Sequence, residues 1–157
     1  MIGGTDTAFW KSGMPLHIIK LCVGVETVEE LDQWYREEVL IHAARGEAYE
    51  RIHVTRMFPK RVDEILDGGS LYWVIKGIVQ VRQRILDLRP IRGGDGIERC
   101  GIVLDPELHR TEYKPCRAFQ GWRYLVDKEA PADIRQSEID GDIPEGMRRA
   151  LRELALI

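Results

Sequence analysis

Three clusters of side chains in this chain have the types and spacing to hold an anion. Gln80, Arg82 and Arg84 alternate, so along an extended strand they share one face, with neighbouring guanidiniums roughly 7 Å apart. That is close to the spacing of successive phosphates on a nucleic-acid strand, and the planar guanidinium fork grips phosphate bidentately. A second cluster, Thr55, Arg56, Lys60 and Arg61, straddles the end of an expected strand and the start of an expected helix. A helix N-terminus offers free N–H donors to an anion. Cations there oppose the helix dipole, so their placement points to use. The third cluster is Phe119-Gln-Gly-Trp-Arg-Tyr-Leu125. Within it Gln120, Trp122 and Arg123 can stack on a base and bond its edge, with Trp73 as a second platform. Each cluster also has a plainer reading. The arginines can pair with Asp87, Glu98 or Asp105, the loop cations can simply be solvated, and the aromatics can be core. Trp122 and Tyr124 share a face, which favours core for that pair.

Catalytic patterns are weaker. No Ser, His and Asp form a recognisable elbow. Cys22, Cys100 and Cys116 include no Cys-x-x-Cys pair, and the histidines at 17, 42, 53 and 109 lie at no metal-ligand spacing. Neither a metal nor a cofactor is therefore expected. His53, Asp87, Asp105, Glu107 and His109 are the groups from which an acid–base pair could be drawn, with nothing to fix their separations. Arg92-Gly-Gly-Asp-Gly96 lacks the spacing and the following Lys-Ser/Thr of a phosphate loop.

The chain has 157 residues, 44% of them apolar, which suits one folded domain with its own core. No apolar run approaches the roughly 20 residues of a membrane span. Met1 to Gly13 does not read as a signal peptide, so the expected location is cytoplasmic. The formal net charge of −3 conceals segregation: residues 1–50 carry −5, residues 51–125 carry +5 and residues 126–157 carry −3. A basic middle between acidic ends is consistent with a local anion-binding face, or with acidic segments folding back on it.

To aim these side chains the chain needs a rigid sheet. Leu16 to Val23 reads as a first strand. Thr27-Val-Glu-Glu30 is a capping box opening a helix from Val28 to about Ala44. Strands follow at Arg51 to Met57, Leu71 to Ile75, Ile78 to Leu88 and Arg99 to Leu104, with a short helix at Val62 to Leu66 and a tight Lys76-Gly77 hairpin. In the fourth strand Val79, Val81 and Ile85 share one side while Leu86 and Leu88 take the other, which predicts a bulge or strong bend near Ile85, unless both faces are buried beyond that point and no bulge is needed. Arg117 to Leu125 holds a last short strand. Asp142 then caps a helix with Met147, Leu151 and Leu154 on one face. The expected organisation is a flexible leader over residues 1–13, a domain over 14–128, and an acidic linker with a C-terminal helix over 129–157. The expected fold class is α+β: a small curved β-barrel with flanking helices.

The blocks His-Val-Thr-Arg-Met-Phe-Pro-Lys-Arg, Leu-Tyr-Trp-Val-Ile-Lys-Gly, Val-Leu-Asp-Pro-Glu-Leu and Phe-Gln-Gly-Trp-Arg-Tyr-Leu resemble a bacterial family known as a domain of unknown function. The glycine-marked turn, the aromatic strand, the Lys-Gly step and the long arginine-bearing strand are similar to the PUA-like superfamily, including ASCH and EVE domains. That resemblance implies a curved barrel whose cleft binds RNA or a modified base. The ASCH Gly-x-Lys-x-x-Glu-x-Arg signature does not occur. The leading expectation is a nucleic-acid-binding module. In it Arg56, Lys60, Arg61, Arg82 and Arg84 contact phosphates, and Trp73 or Trp122 with Arg123 holds a base. The alternatives are a small hydrolase or nucleotide-ligand enzyme using the same cleft, and an interaction module that self-associates through its C-terminal helix.

Overall fold

The computed structural model describes residues 15–134. They form a mixed α/β fold dominated by a seven-stranded sheet. In chain order the elements are β1 (Leu16–Leu21), α1 (Val28–Ala44), β2 (Arg51–Thr55), α2 (Val62–Leu66), β3 (Ser70–Ile75), β4 (Ile78–Arg92), β5 (Glu98–Leu104), β6 (His109–Pro115) and β7 (Trp122–Val126). A 3₁₀ turn, Asp127–Glu129, follows. No helix among the described residues is long and apolar enough to cross a membrane. The expected leader and C-terminal helix lie outside the described residues.

The local chemistry explains the element boundaries. Thr27 Oγ1 accepts from Glu30 N at 3.1 Å, and the Glu30 carboxylate reaches back to Glu26 N at 3.4 Å, so the box starts α1 where the sequence placed it. The β3–β4 hairpin turns on Lys76 and Gly77, both with positive φ (52° and 77°). That is the backbone a two-residue hairpin matched to strand twist requires. β4 runs to Arg92, beyond the expected Leu88. Its pairing with β5 shifts register between Ile85 and Asp87, which places the expected bulge at Leu86. Leu86 faces solvent as the extra residue, and Leu88 returns to the core.

The strand order is β2-β5-β4-β3-β1-β7, with β6 pairing with the first part of β4. All pairs are antiparallel except β1 with β3. The ladder does not close into a barrel; β2 and β7 are its edges. It is nevertheless strongly curled. A flat sheet would hold β2 and β3 three strand spacings apart, about 14 Å, yet the His53 and Trp73 ring centroids are 5.0 Å apart. Side chains rather than a ladder bridge the open seam: Trp122 Nε1 donates to Met57 O at 2.8 Å, and Tyr124 OH accepts from Lys60 N at 2.9 Å.

Both faces of the central strands are buried. Ile18, Leu71, Trp73, Val81, Ile102 and Leu104 pack under Leu31 and Tyr35 of α1 and Ile65 of α2. On the opposite face Ile19, Tyr72, Val74 and Val79 pack against Phe119 and Leu125. Every residue of β3 is buried, which is why that strand reads as a continuous apolar run.

Candidate functional site

Sheet register sets three side chains in a row. Lys20 on β1 pairs with Trp73 on β3 and with Trp122 on β7. Lateral partners share a face, so all three point toward α1. Trp34 and Tyr35 descend from α1, and the curl brings Arg51 and His53 of β2 across the seam. The result is a cavity of about 320 Å³ walled by Lys20, Cys22, Trp34, Tyr35, Arg51, His53 and Trp73, with Leu31 and the segment around Cys22 completing it.

A buried amide fixes these walls. Gln83 has no solvent access. Its Oε1 accepts from Tyr35 OH at 3.0 Å and from Trp73 Nε1 at 2.7 Å, and its Nε2 donates to Asp105 O at 3.0 Å. Tyr35 OH in turn accepts from Arg51 Nε at 3.3 Å. The Arg51 guanidinium carbon lies 4.5 Å from the Trp34 ring centroid, a cation–π stack. These bonds fix Tyr35, Trp73 and Arg51 in the lining.

The electrostatics are one-sided. Among the described residues neither Lys20 nor Arg51 forms an ion pair, whereas Arg36, Arg61, Arg82, Arg89, Arg99 and Arg110 each carry a carboxylate partner. No carboxylate lines the cavity. Burial, with added repulsion from Lys20 and Arg51, pushes the His53 imidazole down to about 4, so it is neutral near neutral pH. Its Nε2 is buried without a partner. Burial raises the Cys22 thiol to about 11 despite the same two cations, so it is not an activated nucleophile. Aromatic walls beside two cations without carboxylate partners are chemistry suited to a planar, negatively charged group.

The clusters picked out in the sequence divide between two faces. Thr55 is buried, and Arg56 and Lys60 are exposed. Arg61 is tied bidentately to Glu64 at 2.7 Å. The loop from Arg56 to Arg61 is bonded to Trp122 and Tyr124 across the seam, so the second and third clusters do meet. Gln120 is exposed. Arg123 points to the face opposite Trp122, over the Phe119 ring at 4.6 Å. The arginine ladder also faces away from Trp73. Arg82 pairs laterally with Tyr72 and is held by Asp133 at 2.7 and 2.8 Å and by Ser70 Oγ at 2.9 Å. Arg84 lies opposite Ser70 and is exposed. Gln80 is buried, and its amide donates to Ile75 O at 3.0 Å, bracing the hairpin. Of the residues singled out as binding candidates, only Trp73 lines the cavity. Lys20, Trp34, Tyr35 and Arg51 were missed, and His53, singled out only as a possible acid–base group, also lines it. The usable sign was Lys20 alone in an apolar strand, together with Arg51, His53 and Thr55 alternating on one face of β2.

A second cavity, about 400 Å³, opens on the opposite face around His17, Ser70, Tyr72, Arg82, Asp127 and Asp133. It brings a Ser, a His and an Asp together without making a triad. His17 Nε2 bonds Asp127 Oδ1 at 2.8 Å, and its Nδ1 accepts the Ser70 backbone N–H at 3.0 Å. The only ring lone pair is thus already used and cannot take a proton from the Ser70 hydroxyl. Burial lowers the His17 pKa, which keeps the ring neutral.

The sequence matches a family described as a protein of unknown function, DUF1489, over residues 18–157, so the chain belongs to that family. No curated protein and no solved structure matches the chain.

Proposed function

We propose that this domain binds nucleic acid, RNA first, by taking a base into the cavity between α1 and the open seam of the sheet and seating the adjoining phosphate on Lys20 and Arg51. The observation that carries this reading is the pairing of aromatic walls with two cations that have no carboxylate partner in a lining free of carboxylates. A base is a flat ring beside a fixed negative charge, and the cavity offers a counterpart to each. Arg51 lies over the Trp34 ring at 4.5 Å and the Tyr35 ring at 5.2 Å, so its charge is held beside the aromatic walls where a base and its phosphate would sit. The volume is at the small end for ligand sites, which suits one nucleotide rather than a duplex. Arg56 and Lys60, exposed on the loop that crosses the seam, extend the cationic path to neighbouring phosphates. A curled sheet with its ligand at an open seam is also how a PUA-like barrel would present a cleft, and three free cysteines suit the reducing cytoplasm.

The test is fluorescence anisotropy with a labelled, mixed-sequence single-stranded RNA over a salt series, with free nucleoside monophosphates as competitors. Affinity is expected to fall with salt, and Lys20→Gln or Arg51→Gln to flatten the log–log slope by about 0.7 per lost phosphate contact. Arg82→Gln, on the other face, is expected to leave it unchanged. Competition by monophosphates as strong as by RNA would identify a free nucleotide as the ligand. Salt-independent affinity, or equal loss from Arg82→Gln, contradicts the reading.

A further inference from the structure

We propose that the second half of α1 is the docking face for the chain's own C-terminal segment, residues 143–157. Of the 17 residues of α1 only Val28, Leu31 and Tyr35 are buried, all in its first half. Beyond them Val39, Leu40 and Ile41 are 39%, 69% and 47% exposed. Val39 and Leu40, with Asp32, Tyr35, Arg36 and Pro106, line a groove of about 370 Å³. A helix that continues two turns past its last buried residue with apolar side chains outward lacks a cover.

The occupant follows from where the described chain ends. Ile134 N donates to Arg110 O at 3.0 Å, and the Arg110 guanidinium is bonded to Glu29 in the first turn of α1. The described chain therefore ends beside the start of that helix. Residues 135–142 can span roughly 27 Å, and Val39 lies about 15 Å along the helix from Glu29. The segment therefore reaches the groove without strain. It carries Met147, Leu151 and Leu154 at helical spacing, a stripe that would lie along Val39 and Leu40. Charge is compatible: the carboxylates in the second half of α1 are Glu37 and Glu38, Arg36 beside them is already paired with Asp32, and residues 143–157 have three arginines to two carboxylates. Arg148, Arg149 and Arg152 thus have Glu37 and Glu38 as partners at the groove's rim.

Hydrogen exchange on the full chain tests this, with light scattering to give the mass in solution. In a Met147→Asp, Leu151→Asp, Leu154→Asp variant the amides of residues 37–44 are expected to exchange several-fold faster, while those of β3 keep their protection and the protein stays monomeric. A chain ending at Asp142 should give the same pattern, so the result does not depend on one variant folding. Unchanged exchange over residues 37–44 overturns the proposal. So does a dimer that the triple variant dissociates, which would make a second copy the occupant. RNA binding is not part of the readout, so this outcome is independent of the cavity's ligand.

Discussion

At Gln83 three hydrogen bonds converge on a side chain with no access to solvent. Gln83→Leu keeps the approximate volume but strands the Tyr35 hydroxyl, the Trp73 indole N–H and the Asp105 carbonyl. Buried polar groups left unpaired cost about 1–3 kcal/mol each, and partial relaxation should bring the total to about 3 kcal/mol, read as a fall in the urea midpoint. His53 gives a pH signature. Its folded pKa, about 4, lies below the ordinary 6.5. Below pH 6.5 the unfolded chain takes up a proton that the folded chain refuses, so stability falls as pH drops toward 4 and the slope then levels. His17 is shifted in the same direction and adds to the same decline. His53→Gln should therefore make the pH dependence of stability between 6.5 and 4 shallower without abolishing it. An unchanged slope would show that His53 is not the buried neutral base described.

Among the elements, the junction of α2 and β3 is the tightest. A Cβ on Gly69 would lie 2.2 Å from Leu16 O and 2.4 Å from Ile65 O, both backbone atoms. On Gly101 it would meet the Ile91 Cδ1 tip at 2.3 Å, which can rotate away. Gly69→Ala should thus lose about 3 kcal/mol and Gly101→Ala about 1 kcal/mol, compared by thermal or urea unfolding. At the hairpin, Lys76 sits in the left-handed region, and Lys76→Asn should gain about 0.5 kcal/mol because asparagine tolerates that conformation. Its exposed pair with Glu26, at 3.6 Å, is worth little. At the seam, Tyr124→Phe removes the acceptor for Lys60 N and Arg61 N. It should speed amide exchange in that loop and weaken RNA binding while leaving Gln83's network intact. The same elements show what could be read from the sequence. α1, α2, the hairpin and the bulge at Leu86 were legible from local signals, but a second register shift at Gln80 was not: it sends Val79 to the face opposite Val81 and Ile85, against the expectation that the three share one side. β6 was not legible either: His109–Pro115 buries only Thr111, so no apolar alternation marks it, and its place comes from pairing with β4.

Across the whole molecule, the basic middle of the chain is divided by the sheet rather than gathered on one surface. Alternation correctly puts Arg82 and Arg84 on one side of β4, but which side faces a cavity depends on the register with β3, and that register turns them away from Trp73. Most strand arginines find carboxylates, Arg82 with Asp133 and Arg89 with Glu50. The two cavity-lining cations without an ion pair, Lys20 and Arg51, belong to strands at opposite sides of the open curl and meet only through it. No local pattern encodes that meeting, which is why the cavity was not legible although every residue in it was visible. The most direct test of the cavity as the base site is photocrosslinking of a 4-thiouridine-containing single-stranded RNA to the full chain, with the attachment mapped by mass spectrometry. Crosslinks are predicted at Trp34, Tyr35, His53 or Trp73 and lost in Arg51→Gln; crosslinks confined to Arg82, Arg84 or Arg123 on the opposite face would contradict the account.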